Sequence, residues 1–425
     1  MSSAACAESK EKPTFTPDTV ESMSLEELLK VVVPGNYNGK GIYQSPQNPI
    51  TEDTINFAVL MPLGYFPNYS ASMFAAADLA VERINESGGI NGKKVAIIRA
   101  DITHSRQSSV EFSRLLVENY NASAIFGPGS TEAVREVMEN VSIPFKIPLV
   151  TTSASSMSLQ SIDPDTLFWQ LSANNKQQAE AMVRLLKQQG RYKRIALVSG
   201  RGIYGQELSY SIRNMLPNSS FLEFSHSSLM TLNINSVQDD ISRIKLFKPD
   251  AIIFSIHSNL IEPYLKTFES HWKEKLPTLI AGDVLVKPQP NKKIAFPRIA
   301  QCLNLIVTGD SLSSNFEKEL KKKLDLKNLE IETASLYDSV ILMALAIEKQ
   351  SNSGRPLKQI MHEITSGNSP FDGLNLNSAR KSNKGLNSFH YIGASGRVKF
   401  DANGANDFAK INIEKYLYNS KSKCQ

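Results

Sequence analysis

The chain lacks any apolar run approaching the ~18 residues of a membrane-spanning helix. The longest notable one, Val340 to Ile347, has the length of a core helix segment. Cysteine is scarce: Cys6, Cys302 and Cys424 make no disulfide framework, and their spacing is not that of a metal site. The six histidines, His104, His226, His257, His271, His362 and His390, show no HxH, HxxxH or HExxH spacing, so no metal cofactor is expected. No GxxxxGKS/T loop and no GxSxG elbow occur, which removes the P-loop ATPases and the commonest serine hydrolases on motif grounds. The serines that are present have no base nearby in sequence.

Charge of either sign is also modest, at a formal net +5 over 425 residues. The basic runs, Lys321 to Lys323, Arg380-Lys381 with Lys384, and Lys421 with Lys423, have no aromatics interleaved as a nucleic-acid platform would need. With 41% hydrophobic and 21% charged residues the composition is that of a globular protein of two or three domains. The N-terminus shows neither the basic nor the apolar part of a secretory signal, so the chain as written stays in the cytosol unless it is a mature form. Ala4-Ala5-Cys6 looks like the end of a bacterial lipoprotein signal, although Ser3 stands where that pattern has Leu. Residues 1–53 read as a tether carrying one short amphipathic stretch, Leu25 to Val33.

What the chain has is a repeated unit between Ile125 and Leu159. Two apolar runs each end in small hydroxyl and glycine residues that open a helix-like segment. The first ends in Gly127-Pro128-Gly129-Ser130-Thr131, the second in Thr151-Thr152-Ser153-Ala154-Ser155. Singly, such residues are ordinary N-caps. At the carboxyl edge of a parallel sheet, two in succession make an anion site of helix N–H groups and hydroxyls.

Strand-like and helix-like segments alternate from Ile55 onward, which predicts parallel α/β sheets, too many strands for one sheet, and hence two lobes. Gly200-Arg201-Gly202-Ile203-Tyr204-Gly205 fits GxGxxG between a strand and a helix, the dinucleotide context. Against NAD, it lies mid-chain and carries Arg and Tyr at variable places where the fingerprint keeps small residues. Asp283 ends another strand and reads either as a turn residue or as a carboxylate facing a cleft.

The ordered set Ala80 to Gly92, Ile125 to Thr131, Pro148 to Ser155, Tyr204-Gly205, Lys248-Pro249-Asp250, Gly282-Asp283, Tyr337 to Val340 and Gly393 to Asp401 resembles the type I periplasmic binding proteins. The branch it resembles is that of branched-chain amino acids and amides, with the ligand-binding domains of amino-acid receptors as cousins. The resemblance covers roughly 55–417. It implies two Rossmann-like α/β lobes with parallel sheets joined by a three-strand hinge: lobe one at 54–172 and 307–390, lobe two at 173–306 and 391–420, and a tail at 421–425.

Carried over by motif, Ser130, Ser153, Ala154 and Ser155 take a ligand carboxylate, and Tyr69 flanks its side chain. Tyr204 and Asp283 meet the ammonium, and Asn175 stands where the receptors often have an acid. The implied function is capture of a small amino acid or amide for an ABC permease, without catalysis or cofactor. The protein would be periplasmic or cell-surface, a monomer or weak dimer, and bound to the membrane only by lipid at Cys6. A sensory or regulatory module of the same fold, contacting a signalling or cell-wall-synthesis protein, is the first alternative. A nucleotide-dependent enzyme using Gly200 to Gly205 is the second.

Overall fold

A computed structural model describes residues 41–45, 48–64, 66–103, 106–163, 167–227, 232–256, 258–285, 293–308, 314–324, 332–384 and 388–417. Cys6, Cys424 and the Leu25 to Val33 stretch lie outside them. Continuous apolar runs make strands covered on both faces, and two such sheets form. The first is built from β1 (Ile42–Gln44), β2 (Ile55–Met61), β3 (Val95–Asp101), β4 (Ala122–Phe126), β5 (Leu149–Thr151) and β6 (Phe168–Gln170), in the order β1-β3-β2-β4-β5-β6. The second uses β7 (Arg194–Gly200), β8 (Ser220–His226), β9 (Ala251–Ser255), β10 (Thr278–Ala281), β11 (Leu303–Thr308) and β15 (Ile411–Lys415), in the order β15-β11-β10-β9-β7-β8. All pairings are parallel except at one edge of each sheet, where β1 and β15 run antiparallel.

Side-chain alternation along β2 shows how each sheet is covered. Phe57, Val59 and Met61 join a core made with α1 (Pro67–Glu86), α10 (Glu332–Ser353) and α11 (Leu357–Ser366). Ala58 and Leu60 face the opposite core, shared with α2 (Arg106–Tyr120) and α3 (Thr131–Val137). In the second lobe Ile195 and Leu197 meet α4 (Asn175–Gln188) and α5 (Ile203–Met215). Ala196 and Val198 meet α6 (Ile234–Phe247) and α7 (Ser258–His271). Further helices are α8 (Pro297–Cys302), α9 (Ser314–Leu324) and α12 (Leu376–Ser382), and short helical turns follow α3 and β5. Among the described residues no helix is long and apolar enough to cross a membrane. Cys302 is disulfide-bonded.

Two segments sit elsewhere than the sequence suggested. Ile42–Gln44, expected in the tether, is an edge strand of the first sheet, registered Ile42 to Ala100. Residues 391–400, expected in lobe two, belong with lobe one. Tyr391, Ala394, Val398 and Phe400 are buried in its core, and β13 (His390–Gly393) pairs with β12 (Pro370–Asp372) and β14 (Gly396–Arg397) in a small third sheet. The sequence hides this because the apolar residues of the run are few and are broken up by Gly393, Ser395, Gly396, Arg397 and Lys399, so that no single period is sustained.

The chain crosses between lobes after β6, after β11 and before β15. The first and third crossings are bonded together. Gln170 N–H donates to the Gly404 carbonyl at 2.8 Å, and Asn406 N–H returns to the Gln170 carbonyl at 3.0 Å. The Gln177 amide donates to the Asn406 carbonyl at 3.1 Å. These contacts tie the base of α4 to the hinge.

Candidate functional site

Both hydroxyl loops follow strands of the first sheet at their carboxyl ends. Ser130 is the N-cap of α3: its backbone is extended and its Oγ accepts from Ala133 N–H at 3.3 Å. It is exposed. The second loop is folded by Thr151, whose Oγ1 accepts from Ser153 N–H at 3.4 Å and Ala154 N–H at 3.1 Å and donates to the Pro128 carbonyl at 3.2 Å. A β-carbon added to Gly129 would stand 3.5 Å from that of Ser153, so the two loops are neighbours. Ala154 is buried, and its carbonyl accepts from Gln170 and Ser172. Its backbone groups are thus engaged within the lobe. Tyr69 lies in the first turns of α1, half-buried against the first core.

The second lobe contributes a connected set of polar side chains. Asn175 begins α4, fully buried behind a capping box made by Asn174 and Gln177. Ser155 Oγ donates to Asn175 Oδ1 at 2.8 Å, and Asn175 N–H donates to the Ser155 carbonyl at 2.8 Å. One turn along α4, Gln178 Nε2 donates to Asp283 Oδ2 at 2.7 Å. Tyr204 Oη donates to Asp283 Oδ1 at 3.0 Å. Asn175 Nδ2 also donates to the Tyr204 backbone carbonyl at 3.5 Å, which joins Ser155 and Asn175 to Tyr204 and Asp283, with Ser130 and Ser153 together on the adjoining loops.

Burial raises the Asp283 carboxyl to about 6, against the lowering effect of its Tyr204 and Gln178 hydrogen bonds. Tyr204 is pushed well above its ordinary range, by burial first and by the Asp283 charge second, so it stays a donor. At neutral pH Asp283 is mostly ionised, and both side-chain donors to it are neutral. Gln178 Oε1 is buried without a hydrogen-bond partner among the described residues. A carboxylate and an orphaned amide oxygen held by one side chain form an acceptor-rich corner suited to a cationic donor. Gly282 makes room for it: a β-carbon there would fall 2.2 Å from Tyr204 Oη.

Gln178 and Glu207 are the residues that sequence reasoning missed. Glu207, on α5, accepts from Asn175 Nδ2, Ser156 Oγ and the N–H groups of Met157 and Ser158. The signal for Gln178 was its position three residues after Asn175, on the face of α4 that carries Met182 and Leu186 into the core.

The GxGxxG segment has a structural explanation. Gly200 ends β7, Gly202 caps α5, and a β-carbon on Gly205 would come within 2.6 Å of the Gly200 carbonyl and 2.9 Å of that of Ser255. The helix can sit this close to the strands only with glycine there. The Ile203 N–H, which a pyrophosphate would use, donates to Glu132 Oε1 at 3.1 Å. A carboxylate already holds that place.

Residues 72–416 match the model of the receptor family ligand binding region. The chain belongs to this family. Among curated relatives of this family member is the Leu/Ile/Val-binding protein BraC3 of Rhizobium johnstonii, 24% identical over 316 residues, 72% of this chain and 82% of that protein. The fold is shared with the branched-chain amino acid transporter substrate-binding protein LivJ of Streptococcus pneumoniae, solved with isoleucine. That likeness has a TM-score of 0.64 and 18% identity, over 85% of this chain and 100% of that one. It is also shared with an R. palustris solute-binding protein solved with 4-hydroxybenzoate, at TM-score 0.66 and 16% identity over 85% and 93% of the two chains. These likenesses show the type I periplasmic binding fold.

Proposed function

We propose that this protein captures a small zwitterionic amino acid or a related amide between its lobes and delivers it to an ABC importer outside the cytoplasm. The observation that carries this reading is the Asp283 corner. An ionised, largely desolvated carboxylate with two neutral donors and an adjoining orphaned acceptor, Gln178 Oε1, gains most from an ammonium group. The solute carboxylate would go to the α3 N-terminus, Ser130 and Ser153, with Ser155 beside them and Tyr69 along the side chain. Such a guest touches both lobes, binds the closed arrangement better, and draws the population toward it.

The relatives that bind Leu, Ile and Val support the amino-acid class. A benzoate-type anion offers no cation to Asp283 and is the less suitable guest. The disulfide at Cys302 suits an oxidising compartment. Calorimetry with L-leucine, L-isoleucine, L-valine, their amides and 4-hydroxybenzoate tests the reading. Binding of the zwitterions, weakened by Asp283→Ala, is expected. Binding of 4-hydroxybenzoate with no response to any amino acid or amide would sink it.

A further inference from the structure

Two carboxylates reach across the cleft in opposite directions. Glu207, on α5 of lobe two, inserts between the N–H groups of Met157 (2.9 Å) and Ser158 (3.1 Å) and Ser156 Oγ (2.6 Å), all on the second hydroxyl loop of lobe one. Glu132, on α3 of lobe one, accepts from Ile203 N–H at 3.1 Å, the first residue of α5. Each acid meets N–H groups that would otherwise need water or a ligand, and each does so on the other lobe. Asn175 links the arrangement to the hinge side. Its Nδ2 donates to Glu207 at 3.0 Å while its Oδ1 accepts from Ser155 at 2.8 Å.

We propose that Glu207 and Glu132 form a reciprocal latch that holds the lobes together in the solute-free protein, Glu207 being its principal member. Charge-assisted bonds to backbone N–H groups are the stronger class of hydrogen bond. Glu207 makes four bonds, three of them to lobe one, and all three are lost when the lobes part. The closed arrangement is then populated before a solute arrives, and the fraction of molecules already closed scales the apparent affinity. The latch therefore sets how much of the solute's binding energy is spent on closure. It needs only the two-lobed architecture and is independent of which solute the cleft admits.

The test uses the full chain without solute. Spin labels carried by noncanonical residues at the exposed positions 140, in lobe one, and 214, in lobe two, report the interlobe distance by double electron–electron resonance. The parent is expected to show one short distance. Glu207→Ala should raise the open-to-closed ratio by about ten-fold or more, the isosteric Glu207→Gln by several-fold, and Glu132→Ala by less than Glu207→Ala. Melting temperature and circular dichroism verify that each variant is folded; if Glu207→Ala is not, Glu207→Gln decides. A parent already open, or folded Glu207 variants with the parent's distance distribution, overturns the latch. Loss of amino-acid binding in the calorimetry above, with the distance shift intact, would sink the solute reading alone.

Discussion

Asp283 and Asp338 are both desolvated enough for burial to raise them to about 6, yet they are held in opposite ways. Asp338, on α10 of lobe one, accepts from Tyr391 Oη at 2.7 Å, Ala394 N–H at 2.9 Å, Ser395 N–H at 2.7 Å and Ser395 Oγ at 2.5 Å. Its oxygens are saturated, and it pins the residue 391–395 turn to the core. Asp283 has two side-chain donors and an orphaned acceptor beside it. Equal shifts in acidity thus accompany unequal completeness. The complete carboxylate is part of the fold, and the incomplete one keeps capacity for a further donor.

The sharpest way to break this contrast is to remove Asp338. Asp338→Ala leaves two backbone N–H groups and two hydroxyls without their acceptor, and we expect a loss of about 3–5 kcal/mol in denaturant unfolding. A loss under 1 kcal/mol would show that Asp338 is not structural. Removing Asp283 should act on a different observable. Asp283→Ala is expected to weaken amino-acid binding by about 2–4 kcal/mol while leaving the melting temperature unchanged or higher, because an incompletely satisfied buried charge disappears. A collapse of stability instead would put Asp283 in the same class as Asp338.

Gly282→Ala sharpens the comparison without touching a carboxylate. The added methyl displaces the Tyr204 hydroxyl from Asp283, and a drop of about 1–2 kcal/mol in affinity is expected by calorimetry. Acidity gives a signal of similar size. Each folded pKa of about 6 exceeds the ~3.9 of an unfolded aspartate, so the folded chain holds these protons more firmly. The stability this contributes is complete below about pH 4 and is lost as pH rises through about 6. Each group should account for about 1–3 kcal/mol of that fall, and Asp283→Asn should remove its share from the melting temperature's dependence on pH.

The alternation of strands and helices was legible in the sequence because buried parallel strands such as INFAVLM are continuous apolar runs. Ser130, Ser153, Tyr204 and Asp283 could be proposed from the sequence because motif and residue type limit their chemistry. Gln178 and Glu207 were not legible, since a polar residue on a helix looks solvated until its distant partner is in place: Asp283 of the same lobe for Gln178, and the 156–158 loop of the other lobe for Glu207. The edge strand Ile42–Gln44 was missed for a simpler reason: three residues are too few for a period. Residues 391–400 were assigned to the wrong lobe because their burial depends on Asp338, more than 50 positions earlier.

The threefold crossing has a consequence for how this molecule comes to exist. Neither lobe is made from one continuous stretch, and β15, which finishes the second sheet, follows every helix of the first lobe in sequence. During synthesis the first sheet waits for α10 to cover its face, and β11 waits for its last neighbour until residues 411–415 emerge. Pairings this distant make assembly late and slow. A chain whose second sheet is unfinished until residues 411–415 arrive remains threadable up to that point.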